Sequence, residues 1–237
     1  MKTNQLLIAL GVIAAMLLAS CSPAYRVGAL QTESQSVKLG NAKSVHVDID
    51  MGAGELELTG GAQKLLEADF NYNVARLKPE VKYTNGTLVV RQPDVNGWPS
   101  WIGISDFRNE WGLRLYDEVP MDLSVNMGAG TSDLKLAGLS LTGLDVTMGA
   151  GTYTIDLSGD WAHDLDVTID SGAAFITLRL PKDVGARVVV DRGANLIDTA
   201  GLSQDGDVYT NDAYGVSAVT MQVDLKAGIG QISLDVE

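Results

Sequence analysis

Apolar and polar residues alternate with a period of two along most of the chain, and a short glycine-centred motif interrupts the alternation at regular intervals. Met51-Gly-Ala-Gly54, Met127-Gly-Ala-Gly130 and Met148-Gly-Ala-Gly151 are identical, while Ser171-Gly-Ala-Ala174, Arg192-Gly-Ala-Asn195 and Ala227-Gly-Ile-Gly230 are degenerate copies. Ahead of the motif one parity carries Val47/Ile49, Leu123/Val125, Leu144/Val146, Val167/Ile169, Val188/Val190 and Val223/Leu225. Behind it the alternation returns as Leu56/Leu58, Leu134/Leu136, Ile155/Leu157, Ile176/Leu178/Leu180 and Ile232/Leu234/Val236. Such alternation marks strands with one buried face. Each copy therefore predicts strand, glycine corner, strand and a second turn. Glycine reaches φ > 0 at a corner, and glycine or alanine lets stacked corners approach closely. Gly128, Gly149, Gly172 and Gly193 are spaced by 21, 23 and 21 residues, and Gly228 follows after 35, leaving room for an inserted loop at about residues 201–216. A unit this short cannot bury its apolar face alone, so units must share a continuous core. The predicted fold is all-β: a right-handed, solenoid-like stack of about six two-strand rungs, with almost no helix after the leader.

The regular rungs occupy residues 121–237, and residues 27–120 form an N-terminal β portion continuous with them. Residues 65–74 and 80–91 read as ordinary strands, the second folded into a hairpin by Asn85-Gly86. Residues 92–107 are rich in Pro, Gly, Asn, Asp and Trp and predict an excursion from the sheet. Trp111-Gly-Leu-Arg-Leu-Tyr116 resumes the strand pattern before a turn at Asp117-Glu-Val-Pro120.

The first residues follow a different logic. Lys2 precedes the 13-residue apolar run Leu6–Leu18, which suits an export signal and is too short for an ordinary membrane span. Leu18-Ala-Ser-Cys21 resembles a lipobox, in which small residues before a cysteine mark cleavage and acylation. Residues 1–20 are thus expected to be removed, Cys21 to carry lipid, and residues 21–26 to serve as a short acylated tether. Attachment by two or three acyl chains is effectively permanent. By resemblance to diderm lipoproteins, Ser22 after the cysteine implies the outer membrane in a diderm host, and in a monoderm host the expected place is the extracytoplasmic face of the cell membrane.

Charge narrows the partners. The chain has 30 Asp+Glu against 17 Lys+Arg, a net charge of −13, which disfavours nucleic acid and flat docking on an anionic bilayer. Its single cysteine rules out an internal disulfide and a thiolate metal cage. His46 and His163 are the only histidines. His46 should point outward between Val45 and Val47, and His163, beside Trp161, reads as a corner residue. No catalytic set, metal site or cofactor is expected. Two outward columns, Asp48/Ser124/Asp145/Thr168/Val189/Asp224 and Asp50/Asn126/Thr147/Asp170/Asp191/Lys226, could suggest Ca²⁺. Their Thr, Val and Lys interruptions favour a solvated face, because calcium needs six to eight converging oxygens. Trp98, Trp101 and Trp111 stand close in sequence. Trp111 alternates with Leu113 and Leu115 and should be a lid or core residue, whereas Trp98 and Trp101 flank Pro99 and are the candidate partner surface, with Trp101 exposed.

The segments Val45-His-Val-Asp-Ile-Asp-Met-Gly-Ala-Gly-Glu-Leu-Glu-Leu-Thr-Gly-Gly61 and Asn109-Glu-Trp-Gly-Leu-Arg-Leu-Tyr-Asp-Glu-Val-Pro-Met-Asp-Leu-Ser-Val-Asn-Met-Gly-Ala-Gly130, with Tyr209-Thr-Asn-Asp-Ala-Tyr-Gly215, resemble the toast-rack domains. That group includes the C-terminal domain of the LiaF-type cell-envelope stress (cell wall-active antibiotics response) proteins. The resemblance implies the stacked fold over about Val27 to Glu237 and, for LiaF-type members, negative regulation of an envelope-stress sensor kinase. LiaF-type members carry several membrane helices before this domain. The expected function is a non-enzymatic, lipid-anchored envelope protein whose rigid β surface binds an envelope protein or glycan. A regulator of envelope-stress signalling is the alternative, and an enzyme acting on an envelope polymer is the third reading.

Overall fold

The computed structural model describes residues 27–93 and 106–237, so the expected leader and tether at residues 1–26, with Cys21, and Trp98 and Trp101 lie outside the described residues. Among the described residues thirteen strands form one sheet. In chain order they are β1 (Gln31–Val37), β2 (Val45–Thr59), β3 (Leu66–Tyr72), β4 (Glu80–Thr84), β5 (Thr87–Arg91), β6 (Asn109–Leu115), β7 (Met121–Lys135), β8 (Leu141–Asp156), β9 (Leu165–Leu180), β10 (Gly185–Ala200), β11 (Ser203–Asp205), β12 (Val208–Thr210) and β13 (Thr220–Val236). The helical content among the described residues is a 3₁₀ turn at Ala75–Leu77.

Strands β2, β7, β8, β9, β10 and β13 are 15 to 17 residues long, and each carries one copy of the glycine motif near its middle. One such strand is a whole rung with a first and a second arm. The burial phase slips by one residue across the motif: Val45, Val47, Ile49 and Met51 are buried before it in β2, and Leu56 and Leu58 after it. Inward side chains of both arms therefore enter one core. The long strands pair in parallel, motif beside motif, as in Met51↔Met127, Ala53↔Ala129 and Gly54↔Gly130. The stack of about six rungs expected from the repeats is present.

The spacing of the rungs depends on the corners. A Cβ added to Gly149 would run into the carbonyl oxygen of Gly128, and one added to Gly128 would meet that of Gly52. Gly149 itself has no positive φ; among these glycines the left-handed geometry falls on the fourth motif position, with φ of 146° at Gly54 and 136° at Gly130. Both glycines of the motif thus admit close approach, since a Cβ on Gly130 would also run into the Gly54 carbonyl oxygen, and the fourth sets the backbone direction as well.

Order in space departs from order in the chain. β13 lies between β9 and β10 and is parallel to both. Its inward residues Met221, Val223, Leu225, Ile232 and Leu234 are all 0–1% exposed. In β10 the matching second-arm positions are Ile197, half-buried, and Thr199, exposed. The more apolar strand occupies the interior slot. The insertion after β10 supplies the β11–β12 hairpin, whose second strand pairs antiparallel with the first arm of β10 from Arg187↔Thr210 to Val189↔Val208. Asn211 fixes it: its Oδ1 accepts from the Ala186 N–H, and its Nδ2 donates to the Pro181 and Val184 carbonyls, each at 2.8 Å.

At the other end β5 pairs with the first arm of β2 and β6 with the second, both in parallel. Together they make a rung cut open at its corner, between Arg91 and Asn109. The β4–β5 hairpin turns at Asn85 and Gly86, with φ of 51° and 82°, as that dipeptide favours. β3 runs antiparallel to β6, and β1 to β3.

Gly149→Val should destabilise the fold by about 2 kcal/mol or more through overpacking against the Gly128 backbone. Asp145→Asn, on an exposed outward position, should stay within about 0.5 kcal/mol of the parent. Denaturant melts of both variants test the assigned facing, and equal midpoints would contradict it.

Candidate functional site

The outward residues of the second arms form rows across the sheet. One row runs Glu110, Glu55, Thr131, Thr152, Phe175, Gln231, Leu196, and the next Gly112, Glu57, Asp133, Thr154, Thr177, Ser233, Asp198. Gly112 sits between Asp69 of β3 and Glu57 of β2 and has no side chain. The result is an open trough of about 600 Å³ edged by Glu55, Glu57, Asp69, Glu110 and Asp133. Lys135 reaches Glu57 at 2.8 Å and Asp133 at 3.0 Å, and Arg108 reaches Glu110 at 2.7 Å. Hydrogen bonds to Glu57 and then Asp133 hold the Lys135 ammonium above the usual lysine range. A second depression of about 450 Å³ continues to the corner past Ala53, Gly130, Phe107 and Asn109. Carboxylates and threonines on a shallow floor can accept hydrogen bonds from hydroxyl-rich or cationic groups.

The cut corner is closed by side chains. Trp111 is 1% exposed and meets Phe70 edge-on, with centroids 5.5 Å apart and planes at 83°. Its Nε1 donates to Asn109 Oδ1 at 3.0 Å, and Asn109 Nδ2 donates to the Ala53 carbonyl at 2.7 Å and to Gln92 Oε1 at 2.9 Å. The Ala53 N–H donates to Gln92 Oε1 at 3.4 Å. Two amide side chains thus engage the β2 corner where other rungs offer it a neighbouring corner backbone. Trp111 is a core residue, one of the two outcomes its alternation implied. Gln92 and Asn109 were not singled out from sequence, although Asn109 shares the inward parity of Trp111, Leu113 and Leu115.

The first-arm face holds the acidic columns. They run Asp48, Ser124, Asp145, Thr168, Asp224, Val189 and Asp50, Asn126, Thr147, Asp170, Lys226, Asp191, with the β13 residues displaced inward by the strand order. Ser, Asn and Thr separate many of the carboxylates, and among the described residues no group of three or more His, Cys, Asp or Glu converges for a metal ion. His46 Nδ1 lies 3.1 Å from Asp122 Oδ2, both about half exposed at 47% and 54%. His163 is exposed in the turn before β9. The structure does not bring the two histidines into a common cleft with a nucleophile. No described helix is long and apolar enough to cross a membrane.

The family model for the N-terminal domain of toast_rack, DUF2154, matches residues 26–179. The crystal structure of a candidate cell adhesion protein from Clostridium sporogenes is similar, with 28% identity, a TM-score of 0.83, and coverage of 88% of this chain and 100% of that one. A candidate adhesin from Bacteroides fragilis shares 10% identity over 87% of this chain and 97% of its own, with a TM-score of 0.33. A candidate lipid binding protein from Parabacteroides distasonis gives 10%, 89%, 97% and 0.26 for the same measures. At such scores the last two likenesses carry no argument. Among curated proteins none matches the chain.

Truncating Trp111 to alanine should cost about 3–5 kcal/mol, as for other core tryptophans. Asn109→Ala should cost about 1–3 kcal/mol by stranding the Trp111 and Ala53 polar groups. Urea unfolding followed by circular dichroism measures both, and a parent-like midpoint for Asn109→Ala would show that the amide clasp is dispensable.

Proposed function

Because this chain belongs to the toast-rack family, matched over residues 26–179, we propose that it is a non-enzymatic cell-envelope protein, anchored by lipid on Cys21, that binds a partner through the outward face of its second arms. One observation carries the reading. Second arms of six parallel rungs, extended by β6, β3 and β1, make a single hydrogen-bonded face whose rows stay in register from the acidic trough to Leu196 and Asp198. A face built this way is pre-organised, so little conformational freedom is lost when a partner docks.

Likeness to the candidate cell adhesion protein over the whole of that chain supports a binding role at the cell surface. The trough suits an envelope glycan or a protein with hydroxyl and cationic groups, and the net charge of −13 disfavours nucleic acid. Six residues of tether, 21–26, span roughly 10–15 Å, which keeps the domain near the membrane.

Labelled palmitate should enter the wild-type protein, and Cys21→Ala should accumulate as unacylated precursor; label on the alanine variant would remove Cys21 as the anchor. The mature chain should be retained saturably by isolated cell envelopes. A folded protein with no saturable retention would end the binding reading, and turnover of an envelope polymer abolished by His46→Ala would replace it with an enzymatic one.

A further inference from the structure

Among the described residues the sheet has four edges of unequal character. β1 is a polar edge, Gln31-Thr-Glu-Ser-Gln-Ser-Val37, with Glu33 paired to Lys78 at 2.7 Å. β4 carries Glu80 and Lys82, tied to each other and, through Glu80, to Arg91. β11 is three residues of Ser-Gln-Asp. Charge, polarity and short length are the usual protections of an edge against further pairing. The fourth edge is guarded by a single charge, Asp198, in the run Leu196-Ile-Asp-Thr-Ala200. The hairpin strand β12 covers β10 only along its first arm, at residues 187–189. Residues 196–200 pair with β13 on one side, and among the described residues no strand pairs with them on the other.

Apolar surface gathers beside that open side. Phe175 and Leu196 flank Gln231 on neighbouring strands and are 60% and 72% exposed, and Ile229, two residues before Gln231, is 65% exposed. Inward, Ile197 is only half-buried where the rungs before it have Ile232 and Ile176 fully covered. Charge on this side is acidic. Asp198 is exposed on the edge itself, where Gln231 donates to its Oδ2 at 2.8 Å, and Asp235 stands beside Ala200. Among the described residues neither has an ion pair, and the nearby Arg179 is engaged by Asp156 at 3.6 Å and Glu237 at 3.4 Å.

We propose that the free side of residues 196–200 takes up an extended, cationic peptide segment of a partner protein as one more strand of the stack. The inference rests on the reading of the second-arm face as a binding surface and names the partner class for its open end. Backbone groups of β10 supply the ladder, as in other strand additions to an exposed sheet edge. Alternate residues of the incoming strand point inward to cover Ile197, so they are apolar. The others point outward, where lysine or arginine stems lie across Leu196 and their charges reach Asp198 and Asp235. A second copy of this chain fits less well: it brings a net charge of −13 to the same edge, and antiparallel self-pairing centred on Asp198 sets two carboxylates opposite one another.

The probe is a fluorescein-labelled ten-residue peptide of alternating valine and lysine, with a valine–glutamate peptide as its counterpart, titrated into the full mature chain. The lysine peptide should bind at least tenfold more tightly, should weaken as salt rises, and should slow amide exchange at residues 196–200. Asp198→Lys should weaken it at least tenfold with an unchanged melting temperature, whereas Asp145→Lys, an equal charge change on the first-arm face, should leave it within twofold. Equal binding by Asp198→Lys, or by the glutamate peptide, overturns the proposal. Sedimentation that finds a wild-type dimer lost in Asp198→Lys also overturns it, by giving the edge to a second copy. If Asp198→Lys is retained by cell envelopes as well as the parent and also binds the peptide unchanged, the edge is the wrong place while the wider binding surface stands.

Discussion

The close approach of corner backbones governs this structure. At the second motif position Gly128, Gly149 and Gly172 lie against the carbonyls of the corresponding glycines one rung before, Gly52, Gly128 and Gly149. Parallel strands must sit about 4.8 Å apart for their ladders to form. A side chain at the corner would hold neighbouring rungs beyond that distance at the one point where both arms meet. The ladders of two arms, the shared core and the registered outward rows all depend on its absence. The alanines at the third position, Ala53, Ala129, Ala150 and Ala173, keep the outer surface of the bend equally slight.

Much of this was legible because the same constraint repeats in the sequence. The motif marks every corner, and the alternation on either side marks the arms. It also places Trp111 inward beside Leu113 and Leu115. What could not be read was what does not repeat. β1 has no apolar alternation because it is an edge with little of either face covered. The trough depends on Gly112 falling between Asp69 and Glu57, on three strands that are not consecutive in the chain. The clasp of Gln92 and Asn109 is an exchange of backbone contacts for amide side chains, and polar residues at one cut corner carry no periodic signal. The place of β13 did leave a trace: two large apolar residues at alternate positions follow each motif copy except Arg192-Gly-Ala-Asn195, where Thr199 follows Ile197, the mark of a strand that ends the stack instead of continuing it. Of the residues chosen for function, Cys21, Trp98 and Trp101 fall outside the described part of the chain, and the acidic columns lie in outward rows on the first-arm face.

The two ends of the second-arm sheet therefore differ in chemistry. One is closed by β3 and β1, by the amide clasp and by the Phe70–Trp111 contact. The other stops at β10 with half-buried Ile197 and exposed Leu196. Repeat stacks need polar terminal units to remain soluble. Here that requirement is met fully at one end and along a single arm at the other, where β12 and Asn211 seal only the first arm of β10.

The slot between β9 and β10 has a consequence for how the chain acquires its structure. Rungs β7, β8 and β9 can add one after another as the polypeptide emerges, each finding its neighbour already present. β10 cannot, because its neighbour β13 is made some twenty residues later and must enter between two strands that precede it. Closure is thus a late event with long sequence separation, the kind of contact that slows folding. Until it happens β9 presents a bare apolar edge, and the growing stack is open to association with other nascent chains at that one step.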